Sequence, residues 1–187
     1  MINFFLTYKP IFIILHAFAA AAGLGAVLVT DTLFLRFIKD NKISHKEFDT
    51  LGTISRWIWI AIIFLVITGF ALYFSAPTEY LTKSKFVTKL IIFTVIVING
   101  VLMHYVVMPV IKKLSFGGSL SEKTQRLSFI KKFAFASGGI SLLSWVLVFL
   151  LGSLRSIPFS VGGALGMYVL GIVMVIIASQ VVIQFRK

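Results

Sequence analysis

IFIILHAFAAAAGLGAVLVTDTLFLRF, running from Ile11 to Phe37, decides the fold. At about 1.5 Å of rise per residue, a helix of this length exceeds the ~30 Å hydrocarbon thickness of a bilayer. The stretch nevertheless carries a histidine, His16, and an acid, Asp31, with a run of mostly small residues, Ala19 to Gly25, between them. A helix facing lipid all round has no use for these features. Together they predict a helix packed at the centre of a bundle, turning polar groups inward.

The rest of the chain supports a membrane setting. Its 187 residues are 59% hydrophobic and 13% charged, with a mean hydropathy of +1.02. A soluble domain of this size cannot hide so much apolar surface, so the partner is a lipid bilayer. The formal charge of +12 does not indicate a nucleic-acid binder, because the cations sit in short loops between apolar runs. The absence of cysteine excludes disulfides, thiolate metal sites and thiol catalysis. The run Ala17 to Gly23 resembles a signal-peptidase site, but Lys9 is the only cation ahead of it and the apolar run continues well beyond. A retained membrane helix is predicted.

Five spans follow, at roughly residues 11–37, 54–75, 86–111, 129–154 and 161–185, in one all-α transmembrane domain over 1–187. The loops after the first and third spans and the C-terminus hold thirteen of the 18 Lys and Arg, while Lys9, Lys83, Lys85, Lys89 and Arg155 lie on the other side. The positive-inside rule then places the N-terminus outside and the C-terminus in the cytoplasm of a bacterial inner-membrane protein. Both basic loops carry a Ser-x-x-Glu capping box, Ser44 with Glu47 and Ser119 with Glu122. The second and fourth helices are therefore expected to begin in the cytoplasm, with Phe48, Leu51 and Ile54 as an apolar stripe on the first extension. Trp57, Trp59, Tyr73 and Tyr80 read as interfacial aromatics. Small residues at helical spacing, including Ala19 with Gly23 and Gly162 with Gly166, read as helix-packing surfaces, and the last pair permits a homodimer. The stretch below His16 also leaves room for a flat cofactor.

Ionisable residues inside spans are functional candidates by default. Here they are His16, Asp31, Lys89 and His104, joined by the neutral Asn99. His16 and Lys89 fall at similar depth near the outer surface. His104 lies roughly 15–20 Å deeper than His16, so these two candidate metal ligands cannot share one ion whose bonds to nitrogen are about 2 Å long. Asp31 lies near Arg36, Arg56 and His104, and a polar clamp there is favoured over catalysis. His45 reads as a solvated loop residue.

A histidine early in the first helix, followed by AAAAGLG from Ala19, then Thr68-Gly69, Lys89-Leu90, Asn99 and Pro109, resembles a known pattern. It is similar to the membrane superfamily of HemJ-type protoporphyrinogen oxidases and CopD-type copper-resistance proteins, over about residues 9–112. The resemblance implies haem b, with His16 and Lys89 as its functional residues and Gly23 and Asn99 as further cofactor contacts. HemJ-type chains close their first helix on an Arg-Leu-Phe-Val-Tyr-His-like run where this chain has TDTLFLRF. Haem binding is thus implied ahead of oxidase activity, and no catalytic residue is assigned. The first expectation is a b-type haem protein with a redox or electron-transfer role, its haem on the outer side between the first and third helices. Were it an enzyme, it would be a haem-dependent oxidoreductase. The CopD-like alternative is copper or small-cation transport through Met103, His104, Met108 and Asp31. A structural subunit without cofactor is the third reading.

Overall fold

Hydrocarbon offers no partner to a peptide group, so each apolar run satisfies its own N–H and C=O groups as a helix. The computed structural model describes residues 2–37, 44–116 and 120–185, with side chains at 4–37, 44–112 and 132–181, and holds no strand among them. In chain order come α1 (Ile2–Thr7), α2 (Lys9–Phe37), α3 (His45–Ser75), α4 (Pro77–Leu81) and α5 (Ser84–Leu102). A π turn (Met103–Val107), α6 (Met108–Phe116), α7 (Leu120–Ser153) and α8 (Val161–Phe185) complete it. Five stretches are long and apolar enough to cross a membrane: Lys9–Phe37, His45–Ser75, Ser84–Lys112, Lys132–Ser153 and Val161–Val181. These are the five expected spans.

Local chemistry explains their ends. Ser44 caps α3: its backbone N–H donates to Glu47 Oε2 at 2.8 Å, and its Oγ accepts from the Glu47 N–H at 3.3 Å. The helix therefore starts well before residue 54, as the capping box predicts. The corresponding Ser119–Glu122 box lies outside the described residues. Two short helices were not expected, and a proline accompanies each. Pro10, without an N–H, interrupts the ladder between α1 and α2, and Pro77 opens α4. In the third span the Met108 N–H reaches back five residues to the Met103 carbonyl. Pro109 next to it cannot donate to Tyr105, which makes this the place where the regular ladder gives way.

The bundle's hub is α7, which packs against α2, α5 and α8, while α2 packs against α3 and α7. The first span is thus a wall helix and not the centre that its polar residues suggest. Ala19, Gly23, Val27 and Phe34 form one narrow buried stripe on it, while Ile13, Ile14, Phe18, Leu28 and Val29 are exposed to the lipid side. On α7, small residues such as Ser137, Gly139 and Ser144 let neighbours approach closely. Halfway along, the indole of Trp145, 1% exposed, lies directly on Gly23. A Cβ at Gly23 would come within 2.4 Å of the Trp145 Cη2 and 3.3 Å of the Ala61 Cβ. Ala19, Val27, Ile62, Leu65, Ile92, Ile96, Val148 and Tyr168 complete this buried cluster. A second cluster, Phe34, Leu51, Val107, Ile111 and Ala134, closes the Asp31 end, with Phe48 packed against it as the expected stripe requires.

Overpacking a close-packed core costs about 1–3 kcal/mol. Gly23→Ala is therefore expected to destabilise the bundle by that amount in a detergent or lipid unfolding titration. In a Trp145→Phe background, where a smaller ring leaves room for the methyl, the loss should be clearly smaller. Equal losses in both backgrounds would show that Trp145 does not limit the space over Gly23.

Candidate functional site

Eight residues into α2, the His16 ring meets Thr68 on α3, Nδ1 to Oγ1 at 2.8 Å. The Thr68 hydroxyl owns one hydrogen and donates it to the Phe64 carbonyl at 2.6 Å. It can therefore only accept from His16. That assigns the proton to Nδ1 and leaves Nε2 unprotonated, an acceptor. Nε2 faces the Lys89 Nζ of α5 at 3.5 Å. A chain of donors thus runs from Lys89 to His16, to Thr68 and into the α3 backbone, linking three spans. Gly69, next to Thr68, lies flat by the ring, where a Cβ would stand 3.5 Å from the His16 Cε1.

The C-terminal end of α7 closes the site. A Cβ on Gly152 would lie 3.6 Å from Lys89 Nζ, and Lys85 Nζ donates to the Leu154 carbonyl just past the last turn. Lys85 and Lys89, four residues apart, share one helix face, and cations are favourable where carbonyls point out of a helix end. The ammonium of Lys89 has no carboxylate partner among the described residues. An ion pair joins Lys83 to Glu79 instead, where the hydrogen bond and charge of Lys83 hold the Glu79 carboxyl below its usual range. Beside Lys89, the buried Thr88 Oγ1 has no hydrogen-bond partner.

The other candidate residues lie elsewhere. Asn99 and Ser137 bind each other across α5 and α7: Asn99 Nδ2 donates to the Ser137 carbonyl at 3.0 Å, and Ser137 Oγ donates to Asn99 Oδ1 at 2.6 Å. The space that Gly23 leaves is occupied by Trp145. His104, fifteen residues beyond Lys89 and so roughly 22 Å along the helix, is exposed and stacks edge-on against Tyr105 at 4.9 Å. Met103 and Met108 pack instead against the buried Phe34 cluster. Of the four donors of the copper reading, Met103 and Met108 thus pack inward while His104 faces outward, and no group of three His, Cys, Asp or Glu suited to a metal occurs among the described residues. The expected Asp31 clamp is not formed either. Arg56 donates to Thr53 Oγ1 at 3.1 Å, and the Asp31 carboxyl lies over Gly138.

Sequence reading missed the partners. Thr68 appeared only within a motif, and its role as acceptor needs the rotation of α3 to be known. Ser144 and Tyr168, bonded at 2.7 Å between α7 and α8, carried no spacing signal at all. Comparison with family models, curated proteins and solved structures returns no match.

Nitrogen NMR of the cofactor-free protein, labelled at histidine, tests this geometry. His16 should show a protonated Nδ1 and a bare Nε2, and Thr68→Val, which removes the acceptor, should mix the tautomers. A wild-type ring protonated only at Nε2 would contradict the arrangement.

Proposed function

We propose that the protein is a b-type haem protein of the bacterial inner membrane with a redox or electron-transfer role, and that His16 is an axial ligand of its iron. One observation carries the reading: the His16 Nδ1–H is committed to Thr68 at 2.8 Å. Histidine ligands characteristically donate their second ring nitrogen in this way, which fixes the tautomer and aims the other nitrogen. Nε2 is then a neutral imidazole donor in the apolar surroundings that help set an iron potential.

The donor set suits haem. His16 would hold the iron through Nε2, and Thr68 would keep the ring from turning. Lys89 would serve either as second ligand or as the cation beside a propionate, with Lys85 at the same helix end. At 3.5 Å from Nε2 the Lys89 ammonium stands where a group held by His16 would sit, so Lys89 would have to move aside to admit it. Bound haem would supply one-electron exchange at iron. The chain supplies position, a dry environment and positive charge. Gly23 and Asn99 contribute through packing, since their space and hydrogen bonds are already taken up by Trp145 and Ser137. The loop charges favour an outward-facing His16 end. On α8, a Cβ added at Gly162 or Gly166 would meet nothing within 4 Å among the described residues, which suits the proposed homodimer.

A second reading, a helix clamp without cofactor, is favoured by the completeness of the Lys89–His16–Thr68 chain. The visible spectrum separates the two. Protein produced with adequate haem supply is expected to show a Soret band that His16→Ala loses while keeping its helical content and elution volume. If Lys89 neutralises a propionate, Lys89→Arg keeps the band where it is and Lys89→Met weakens it. If Lys89 is a ligand, both substitutions shift it. A colourless wild-type protein, or an intact His16→Ala protein with its band unchanged, overturns the haem assignment.

A further inference from the structure

Asp31 plays no part in the His16 site, from which roughly 22 Å of helix separates it. Its carboxyl is half-buried between α2 and α7 and seated on Gly138. A Cβ at that glycine would come within 3.2 Å of Oδ1, 3.7 Å of Cγ and 3.9 Å of Oδ2, so the carboxyl group lies directly against the glycine, in the contact shell of the side chain it lacks.

The described residues around this carboxyl offer no countercharge. Among the described residues, no hydrogen bond or ion pair reaches Asp31 from Arg36 on its own helix, from Arg56 or the charged first turn of α3, or from Lys132 on α7. Arg56 bonds Thr53, Glu47 caps its own helix, and Arg36 and Lys132 are exposed. The adjacent Thr30 and Thr32 donate to the carbonyls of Ala26 and Leu28 in their own helix. Ser137 and Asn99, one residue and one helix away, are bound to each other.

A carboxylate within an apolar span and without a partner carries a large desolvation penalty, and such groups neutralise instead. A metal ion would need further donors, and the described residues gather no such group. A proton needs none. We infer that Asp31 on Gly138 is a proton-binding site within the span, between α2 and α7, holding a neutral carboxyl at the end opposite His16. It is a place where one proton is stored within the span and released when water or positive charge gains access. The inference stands whether or not haem is bound.

The test uses the full chain in lipid vesicles at neutral pH with dicyclohexylcarbodiimide, an apolar reagent that reacts with protonated carboxyls. The carboxyl oxygen bonds to the central carbon of the reagent, the acid proton moves to a reagent nitrogen, and the product rearranges to a stable N-acylurea without any redox change. Mass mapping should find the adduct at Asp31, with labelling that declines as pH rises and disappears in Asp31→Asn. Infrared spectra of wild type and Asp31→Asn give an independent measure, since a protonated-carboxyl C=O band should be present in the first and missing in the second. That band supports the site even if the reagent fails to reach it. If Asp31→Asn does not fold, aspartate carbon-13 NMR of the wild type reads the same protonation state. An ionised Asp31 carboxyl at neutral pH in either spectroscopy overturns the inference.

Discussion

Lipid forms no hydrogen bonds, and that single constraint arranges nearly every polar side chain described in this bundle. Lys89, His16 and Thr68 satisfy one another in sequence across three spans. Asn99 and Ser137 do so reciprocally across α5 and α7, and Tyr168 and Ser144 across α7 and α8. Thr30, Thr32 and Thr94 turn back to their own helices. Against this background Thr88 stands apart as a buried hydroxyl without a partner, and Asp31 as a half-buried acid that no described residue bonds.

Small residues decide which helices come together. At Gly23 the space is taken by an indole and at Gly139 by Val175, whose Cγ1 would stand 2.5 Å from an added Cβ, while at Gly138 a carboxyl lies against the bare backbone. Each glycine thus receives a different chemical group. α7 becomes the hub because it carries such residues toward several neighbours. The apolar middle built around Trp145 separates two polar levels, one at His16 and Lys89 and the other at Asp31 and Gly138. A cofactor at the first and a proton at the second would use opposite ends of α2 and α7, with α3 and α5 completing the first.

Positions along each helix axis were legible in the sequence, and rotation about that axis was not. The five spans, the Ser44 cap and the shared depth of His16 and Lys89 follow from hydropathy, capping chemistry and helical rise. Facing directions do not, because lipid and protein interior are both apolar. Ile13 and Val27 look alike as residues, yet one faces lipid and the other is buried. The same ambiguity made α2 look central, aimed Arg56 at Asp31 and hid the pairing of Asn99 with Ser137. Pro109 was visible in the sequence, but not that the turn before it opens by a residue and leaves His104 outside while Met103 packs within.

The central claim is a bond between the His16 Nε2 and iron. Pulsed electron paramagnetic resonance on the ferric protein, labelled with nitrogen-15 at histidine alone, addresses that bond directly. The account predicts hyperfine coupling of the iron spin to an imidazole nitrogen, lost when His16 is replaced. Haem-containing protein whose iron shows no histidine coupling would contradict it.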